Sequence, residues 1–318
     1  MTVIGIPKVV VYGASGFVGR HLVREGDMGS FSFISRRGRE VHPEDSRHAN
    51  WMVADLLSIE STERVLEPRC TVINLAYSRS SSPGVNILMM KNLSEACHRK
   101  GVSRLIHCST AVVVGNSPAL HVNEKTESLP ATVYEKTKYD IESVLLNTAS
   151  DELKVYILRP TEIIGPGGQN LKKLLLSIQV GNCAVNYVRS SVYGKRIMNL
   201  VPVKDVVGAL NHLCKPLPFL PGIYICSADD DPDNRYDRIE EIMRRLLNKP
   251  TGLKSIPLPI YILKAVLYSL RNGAGRFVNR TYSPEKLFQT GFQRRHSISE
   301  AVEEFVLSET RPSRVKLS

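Results

Sequence analysis

Tyr134 and Lys138 stand four residues apart in "YEKTK", the spacing that brings two side chains to one face of a helix. A phenol beside an ammonium can exchange protons, because the cation favours phenolate and draws the tyrosine down from its ordinary value near 10. So poised, it can trade a proton with a substrate hydroxyl or carbonyl. The spacing alone is cheap, since Tyr282 and Lys286 repeat it. Pro284 interrupts that second pair. The first pair follows an apolar strand candidate ending in "HCST", whose Ser109 and Thr110 add hydroxyls. His107 and Cys108 of that strand point to opposite faces, and both are expected in the core.

A second chemical feature lies near the beginning, in "VVVYGASGFVGRHLV", Val9 to Val23. An apolar run breaks into Gly13, Gly16 and Gly19, then resumes at helical spacing. Each glycine removes a Cβ where backbone must approach a ligand or a strand. The helix that opens there offers free N–H groups, from Ser15, Phe17 and Val18, and a positive dipole end to a phosphate. The alternative is a plain strand-to-helix turn. On the cradle reading the ligand is a dinucleotide, and the phenol works beside a nicotinamide that exchanges hydride. Acidifying that phenol by three pH units corresponds to roughly 4 kcal/mol. That requires a partly dry site with an oxidised, positively charged cofactor nearby.

The second strand bears on which dinucleotide. NAD sites usually end it with an Asp or Glu that accepts from the ribose 2′-hydroxyl. Here "FSFISRRGRE" offers Ser35, Arg36 and Arg37. Arginine there pairs with a 2′-phosphate, so NADP is expected, with NAD possible. The alternative is a solvated turn carrying two surface arginines.

These groups need a scaffold. Strand candidates at Lys8–Tyr12, Ser32–Ser35, Trp51–Val53, Thr71–Ala76, Leu105–Ser109 and Val155–Leu158 alternate with helix candidates near Gly16–Glu25, Ile59–Leu66, Val85–Lys100 and Tyr134–Leu146. That rhythm, with Val/Ile/Leu-rich strands, indicates an α/β fold: a parallel sheet wound on both faces. After "GPGGQ" (Gly165–Gln169) short strands mix with helices such as Asp205–Leu213, Arg235–Leu247 and Ser299–Leu307. Residues 1–165 therefore form the expected dinucleotide-binding domain, with 197–226 returning to the sheet. Residues 166–196 and 227–318 form a smaller C-terminal α+β substrate lobe.

The chain has 318 residues, 42% of them hydrophobic, and a formal charge of +11. The basic residues are scattered and interleave with no nucleic-acid module, so no nucleic-acid partner is expected. No run reaches the ~18–20 apolar residues of a membrane span. Ile256–Leu270 contains two prolines and Lys264 and reads as a buried or amphipathic helix, with membrane-surface contact the lesser option. The six cysteines lack a C-x-x-C pair or a histidine cluster, which suggests reduced thiols, no metal site and a cytoplasmic protein.

"GASGFVG", "VADLLS", "NLAYS", "STAVVVG", "YEKTK" and "LRPTEIIGP" occur in this order, and together they resemble the extended short-chain dehydrogenases/reductases of the nucleotide-sugar epimerase/dehydratase family. The resemblance is strong over residues 1–167 and weaker through "VPVKDVVGAL" and beyond. It implies a Rossmann sheet and a catalytic trio of Thr110, Tyr134 and Lys138. Thr110 would hold the substrate oxygen, with Ser109 as the alternative, and Lys138 would also grip the nicotinamide ribose. Asp55 would receive the adenine amino group with Leu56 alongside, unless it is only a helix N-terminal acid. Ala76 would border the nicotinamide-side ribose, and Pro160 and Ile163 would line the nicotinamide pocket. A homodimer formed through two helices per subunit is common in the family.

Two departures narrow the chemistry. Dehydratases of this family carry an acid pair directly after the catalytic Thr, where this chain has Ala111 and Val112. Epimerisation, oxidation or ketoreduction remains. Sugar-nucleotide members place a diphosphate-binding Arg where this chain has Met198, and Arg196 is the best substitute; otherwise Arg196 is a surface charge. The first expectation is an NAD(P)-dependent nucleotide-sugar 4-epimerase or 4-ketoreductase. The second is a carbonyl or hydroxysteroid-type dehydrogenase acting on an uncharged apolar substrate, and the third is a non-enzymatic dinucleotide-binding protein.

Overall fold

A computed structural model of the chain describes residues 8–25, 30–36, 49–181, 183–215, 218–250 and 279–310. Arg37 and the Ile256–Leu270 segment lie outside the described residues.

β1 (Val9–Tyr12), β2 (Phe31–Ser35), β3 (Asn50–Val53), β4 (Thr71–Asn74), β5 (Arg104–Cys108), β7 (Lys154–Pro160) and β10 (Gly222–Cys226) form one sheet in the order β10-β7-β5-β4-β1-β2-β3. Every pairing is parallel, with Val9 beside both Phe31 and Thr71. Parallel pairing puts all the strand C-termini on one edge. The order reverses between β1 and β4, and such a reversal opens the crevice in which ligands of open α/β sheets sit.

Strand alternation sorts side chains between two cores. Val9, Val11, Phe33, Ile73, Ile106, Tyr156 and Leu158 pack with α1 (Phe17–Glu25) and α7 (Val203–Cys214). Val10, Tyr12, Ile34, Val72, Leu105, Val155 and Ile157 face α3 (Pro83–Arg99) and α4 (Val133–Asn147), with α2 (Ile59–Glu63) at the margin. The sheet is thus doubly wound. Ser82 N-caps α3 and Pro83 fills its first position, where no N–H is needed. Thr132 and Glu135 close a full capping box at α4.

The remaining elements build outward from the carboxyl edge. β8 (Glu162–Ile164) pairs with β9 (Leu200–Pro202), and β6 (His121–Val122) pairs with β11 (Thr281–Tyr282). A third core joins α5 (Lys172–Val180), α8 (Tyr236–Leu246) and the helix Ile298–Thr310 through Leu175, Ile239, Met243, Val302 and Phe305. α6 (Cys183–Tyr193) lies beside α8. Strands expected to reach Ala76 and Ser109 end at Asn74 and Cys108. The residues just past those ends are the ones that carry chemistry.

Candidate active site

Gly13 has φ +79°, and a Cβ on it would lie 2.6 Å from the backbone of Leu75 and Ala76. The glycine lets the β1 turn press against the loop that leaves β4. Gly19 serves packing, since its Cβ would meet the Gly13 carbonyl at 2.4 Å. Gly16 donates to that carbonyl at 3.0 Å, and Arg20 in turn donates to the Gly16 carbonyl at 2.9 Å. Phe17 and Val18 open α1 ahead of that bond, so their N–H groups have no partner within the helix. Beside the turn runs a cleft of about 290 Å³ bordered by Gly13, Ser15, Gly16, Arg36, Leu56 and Ala76. A glycine turn, a helix N-terminus and a cleft at the sheet's switch point fit a dinucleotide.

Of the other expected cofactor contacts, Arg36, Leu56 and Ala76 line this cleft, whereas Asp55, Lys138, Pro160 and Ile163 are not on its wall. Ser35 ends β2 and Arg36 follows it, both on the wall. Ala54 and Leu56 also line it, whereas Asp55 uses its carboxylate to accept from Leu57 N at 3.0 Å. Ala76 donates its N–H to the buried Asn74 side chain, which also meets His107 Nδ1. Pro160 ends β7, and Ile163 sits in β8 against the first core.

The tyrosine and lysine lie on the first turns of α4, next to the end of β5. Lys138 is 5% exposed, donates Nζ–H to the Cys108 carbonyl at 3.3 Å and stands 4.8 Å from the centre of the Tyr77 ring. Tyr134 is 38% exposed and meets that ring edge-on at 5.4 Å. The lysine is therefore closed in while the phenol reaches solvent. Thr110 begins the 3₁₀ turn Ala111–Val114, accepting from Val112 N at 3.4 Å. Ser109 is buried with its hydroxyl unpartnered among the described residues. Behind the lysine, Glu142 and Arg159 form a buried bidentate pair that ties α4 to β7.

Electrostatics differ from the sequence-based expectation in sign. Burial pushes the Tyr134 phenol up, and the cation that pulls it back is Arg79 rather than Lys138. Burial also pushes the Lys138 ammonium down, partly countered by Cys108 and Glu142. A phenolate would need more positive charge than this pair provides.

The second Y-x-x-x-K has a different use. Tyr282 is buried in β11, and Lys286 donates to the Ile223 carbonyl at 2.6 Å while Glu124 accepts from Ile225 N at 2.8 Å. The two side chains cap the outer edge of β10, where an exposed ladder would invite pairing. Of the strand pair expected in the core, His107 is buried and Cys108 is partly buried. Cys70, Cys97, Cys108, Cys214 and Cys226 are free thiols. Among the described residues there is no metal-binding cluster and no helix long and apolar enough to cross a membrane.

The substrate side is less favourable to a diphosphate than the sequence suggested. Arg196 lies 5.9 Å from the centre of the Tyr193 ring and eases the charge of Glu162, whose carboxyl is pushed up by burial. A diphosphate on Arg196 would have to compete with that carboxylate. Met198 packs against the third core. Tyr77, Arg79, Glu142 and Arg159 join the site without any sequence signal that singled them out.

The profile of the NAD dependent epimerase/dehydratase family matches residues 9–216. Sterol demethylase protein B of Methylococcus capsulatus is 29% identical over 218 residues, covering 62% of this chain and 63% of that protein. Human sterol-4-alpha-carboxylate 3-dehydrogenase, decarboxylating, is 27% identical over 220 residues, 63% of this chain and 55% of that protein. The matches thus span between about half and two-thirds of these relatives' lengths. Among solved structures, a UDP-glucose 4-epimerase superposes with a TM-score of 0.69 at 19% identity, covering 96% of this chain and 98% of that one. The Bordetella bronchiseptica enzyme WbmH in complex with NAD+ gives 0.65 at 17% identity, covering 95% and 98%. These structural likenesses establish the fold.

Proposed function

The chain belongs to the NAD dependent epimerase/dehydratase family, and from that premise we propose that it is an NAD(P)-dependent dehydrogenase acting on a ring hydroxyl of an apolar, steroid-like acid. The observation that carries the reading is the grouping of Tyr134, Lys138 and the β5 terminus beside the glycine-turn cleft. An apolar ring system is supported by Met198, which packs against the third core where a diphosphate-binding Arg was expected. The curated relatives point the same way, being named for sterol demethylation and for a sterol 4-carboxylate. Ser35 and Arg36 at the end of β2, in place of an acid, favour NADP over NAD.

Gly13, Gly16 and the opening of α1 would hold the phosphates, with Arg36 at the ribose and Ala76 near the second half. When bound, the nicotinamide supplies hydride exchange, and its oxidised ring adds positive charge. Tyr134 Oη takes the proton from the substrate hydroxyl in oxidation and returns it in reduction. Lys138 is held by the Cys108 carbonyl and would hold the nicotinamide ribose, while Arg79 is the side chain whose charge favours the phenolate. The Thr110 hydroxyl donates to the same substrate oxygen.

The test is to incubate the protein with NAD⁺ or NADP⁺ and either a 3-hydroxysteroid 4-carboxylate or UDP-glucose, following nicotinamide absorbance for the first and chromatographic conversion of the sugar nucleotide for the second. Reduction is expected with the steroid acid, faster with NADP⁺, and a loss of about a hundredfold or more in kcat for Tyr134→Phe. Turnover of UDP-glucose alone, or an unimpaired Tyr134→Phe, refutes the reading.

A further inference from the structure

Arg79 follows β4 in the loop "YSRSSSPG" and is exposed. It shares a groove of about 500 Å³ with Tyr77, Ser81, Pro83, Val133, Tyr134 and Thr137. Seven other arginines (Arg99, Arg159, Arg235, Arg238, Arg244, Arg245 and Arg294) each hold a carboxylate. Among the described residues none does so for Arg79. Its field reaches the reaction centre, where it acts on Tyr77, Tyr134 and Lys138. Arg79 and Tyr134 therefore share one groove with no acid on its wall.

We infer that Arg79 determines specificity by pairing with a substrate carboxylate that lies beside the carbon whose hydroxyl Tyr134 deprotonates. The inference rests on the dehydrogenase reading and adds to it the residue that selects an acid. Three features make the ligand a carboxylate next to the reacting carbon. The guanidinium and the tyrosine line the same groove, so an anion held by one lies near a hydroxyl held by the other. A planar fork matches a carboxylate with two parallel hydrogen bonds. The Ser81 hydroxyl, which meets Ser78 Oγ at 2.7 Å, stands on the groove wall as a further polar group. Pairing would screen the carboxylate's negative charge from Tyr134, in exchange for the pull that Arg79 exerts on the phenol.

The experiment compares wild type, Arg79→Gln and Arg79→Lys. Direct binding of a 3-hydroxysteroid 4-carboxylate and of its methyl ester is measured by calorimetry in the presence of NADPH, which forms a non-reacting complex with the hydroxyl compound, together with kcat/KM for both compounds with NADP⁺. Wild type should favour the acid over the ester by about tenfold or more, the scale of a hydrogen-bonded charge pair. Arg79→Gln should lose that preference in calorimetric binding with ester binding unchanged, while kcat falls alike for both compounds because the cation that draws Tyr134 down is gone. Arg79→Lys should keep part of the preference, and NADPH affinity, read by its fluorescence, should be the same in all three. Equal acid and ester binding in wild type overturns the inference, as does an unchanged preference in Arg79→Gln or a loss of NADPH affinity. If acid binding depends on Arg79 but no hydride moves, the dehydrogenase reading fails and the carboxylate site stands. If the acid is oxidised with a preference that ignores Arg79, the reverse holds.

Discussion

Glu142 lies one helical turn beyond Lys138, and its carboxylate meets Arg159 of β7 with both side chains nearly sealed, at 2% and 3% exposure. Arg159 Nε donates to Oε1 and Oε2 at 3.1 Å each, and its terminal nitrogen donates to Oε2 at 2.6 Å. Glu142→Gln keeps the shape and removes the charge, leaving a buried guanidinium opposite an amide. Breaking one side of such a pair costs about 3–5 kcal/mol. At about 2.1 cal/mol/K of unfolding entropy per residue, this chain loses roughly 4–8 °C of Tm. Because α4 carries Tyr134 and Lys138, kcat should fall as well. Replacing both partners, as Glu142→Leu with Arg159→Met, removes the stranded charge and should recover most of the lost Tm, since buried pairs exchanged for apolar residues are often near neutral. Calorimetric melts of the wild type and the two variants decide. A Glu142→Gln loss of less than about 1 °C, or a double variant no better than the single, would refute the account of the pair as a strut that tolerates no half-removal.

Two further outcomes follow from the same coordinates. Gly13→Ala forces a Cβ onto the Leu75–Ala76 backbone at a left-handed φ, so it should cost about 1–3 kcal/mol and abolish NADPH fluorescence enhancement; a variant that binds normally contradicts the cradle. His21, His107 and His212 are all held below their ordinary value of 6.5, chiefly by burial. As pH falls below that value the unfolded chain takes up protons that the folded chain refuses, so stability falls, at up to about 1.4 kcal/mol per pH unit for each histidine. Asp229, pushed up to about 6, works in the opposite sense between about 6 and its ordinary 3.8. Melting temperature should therefore decline on acidification below about pH 6.5, more gently in His107→Gln; a flat profile, or an unchanged slope in that variant, counts against the histidines.

What the sequence makes legible here is local. Alternating apolar residues in β1, β4, β5 and β7 announce two buried faces, and three glycines after β1 announce a turn that closes tightly. Juxtapositions across long loops leave no such trace. Arg79 lines one groove with Tyr134, 55 positions further along the chain, and the charge of Arg196 acts on Glu162 from 34 positions away. The two Y-x-x-x-K segments show the limit most clearly. Four-residue spacing places side chains on one face only if the helix is continuous. Tyr134 and Lys138 share α4, whereas Tyr282 lies in β11 and Lys286 in the turn Glu285–Phe288 that starts after Pro284.

The phenol's acidity escapes the sequence for a related reason. Spacing counts the neighbouring charges, but the sign of a shift depends on how much water each group loses, and that loss is a property of the assembled walls. At Tyr134 the walls are Tyr77 and the β5 terminus, and they raise the phenol more than Arg79 lowers it. Lys138 spends its hydrogen bond on the Cys108 carbonyl and its charge on the face of Tyr77. A ring like Tyr77 favours the ammonium electrostatically, which holds the lysine charged in a site that would otherwise strip its proton. Tyr77 is therefore expected to matter through Lys138. Replacing it with leucine should depress the lysine further and shift the pH profile of kcat, and an unchanged profile would refute the role.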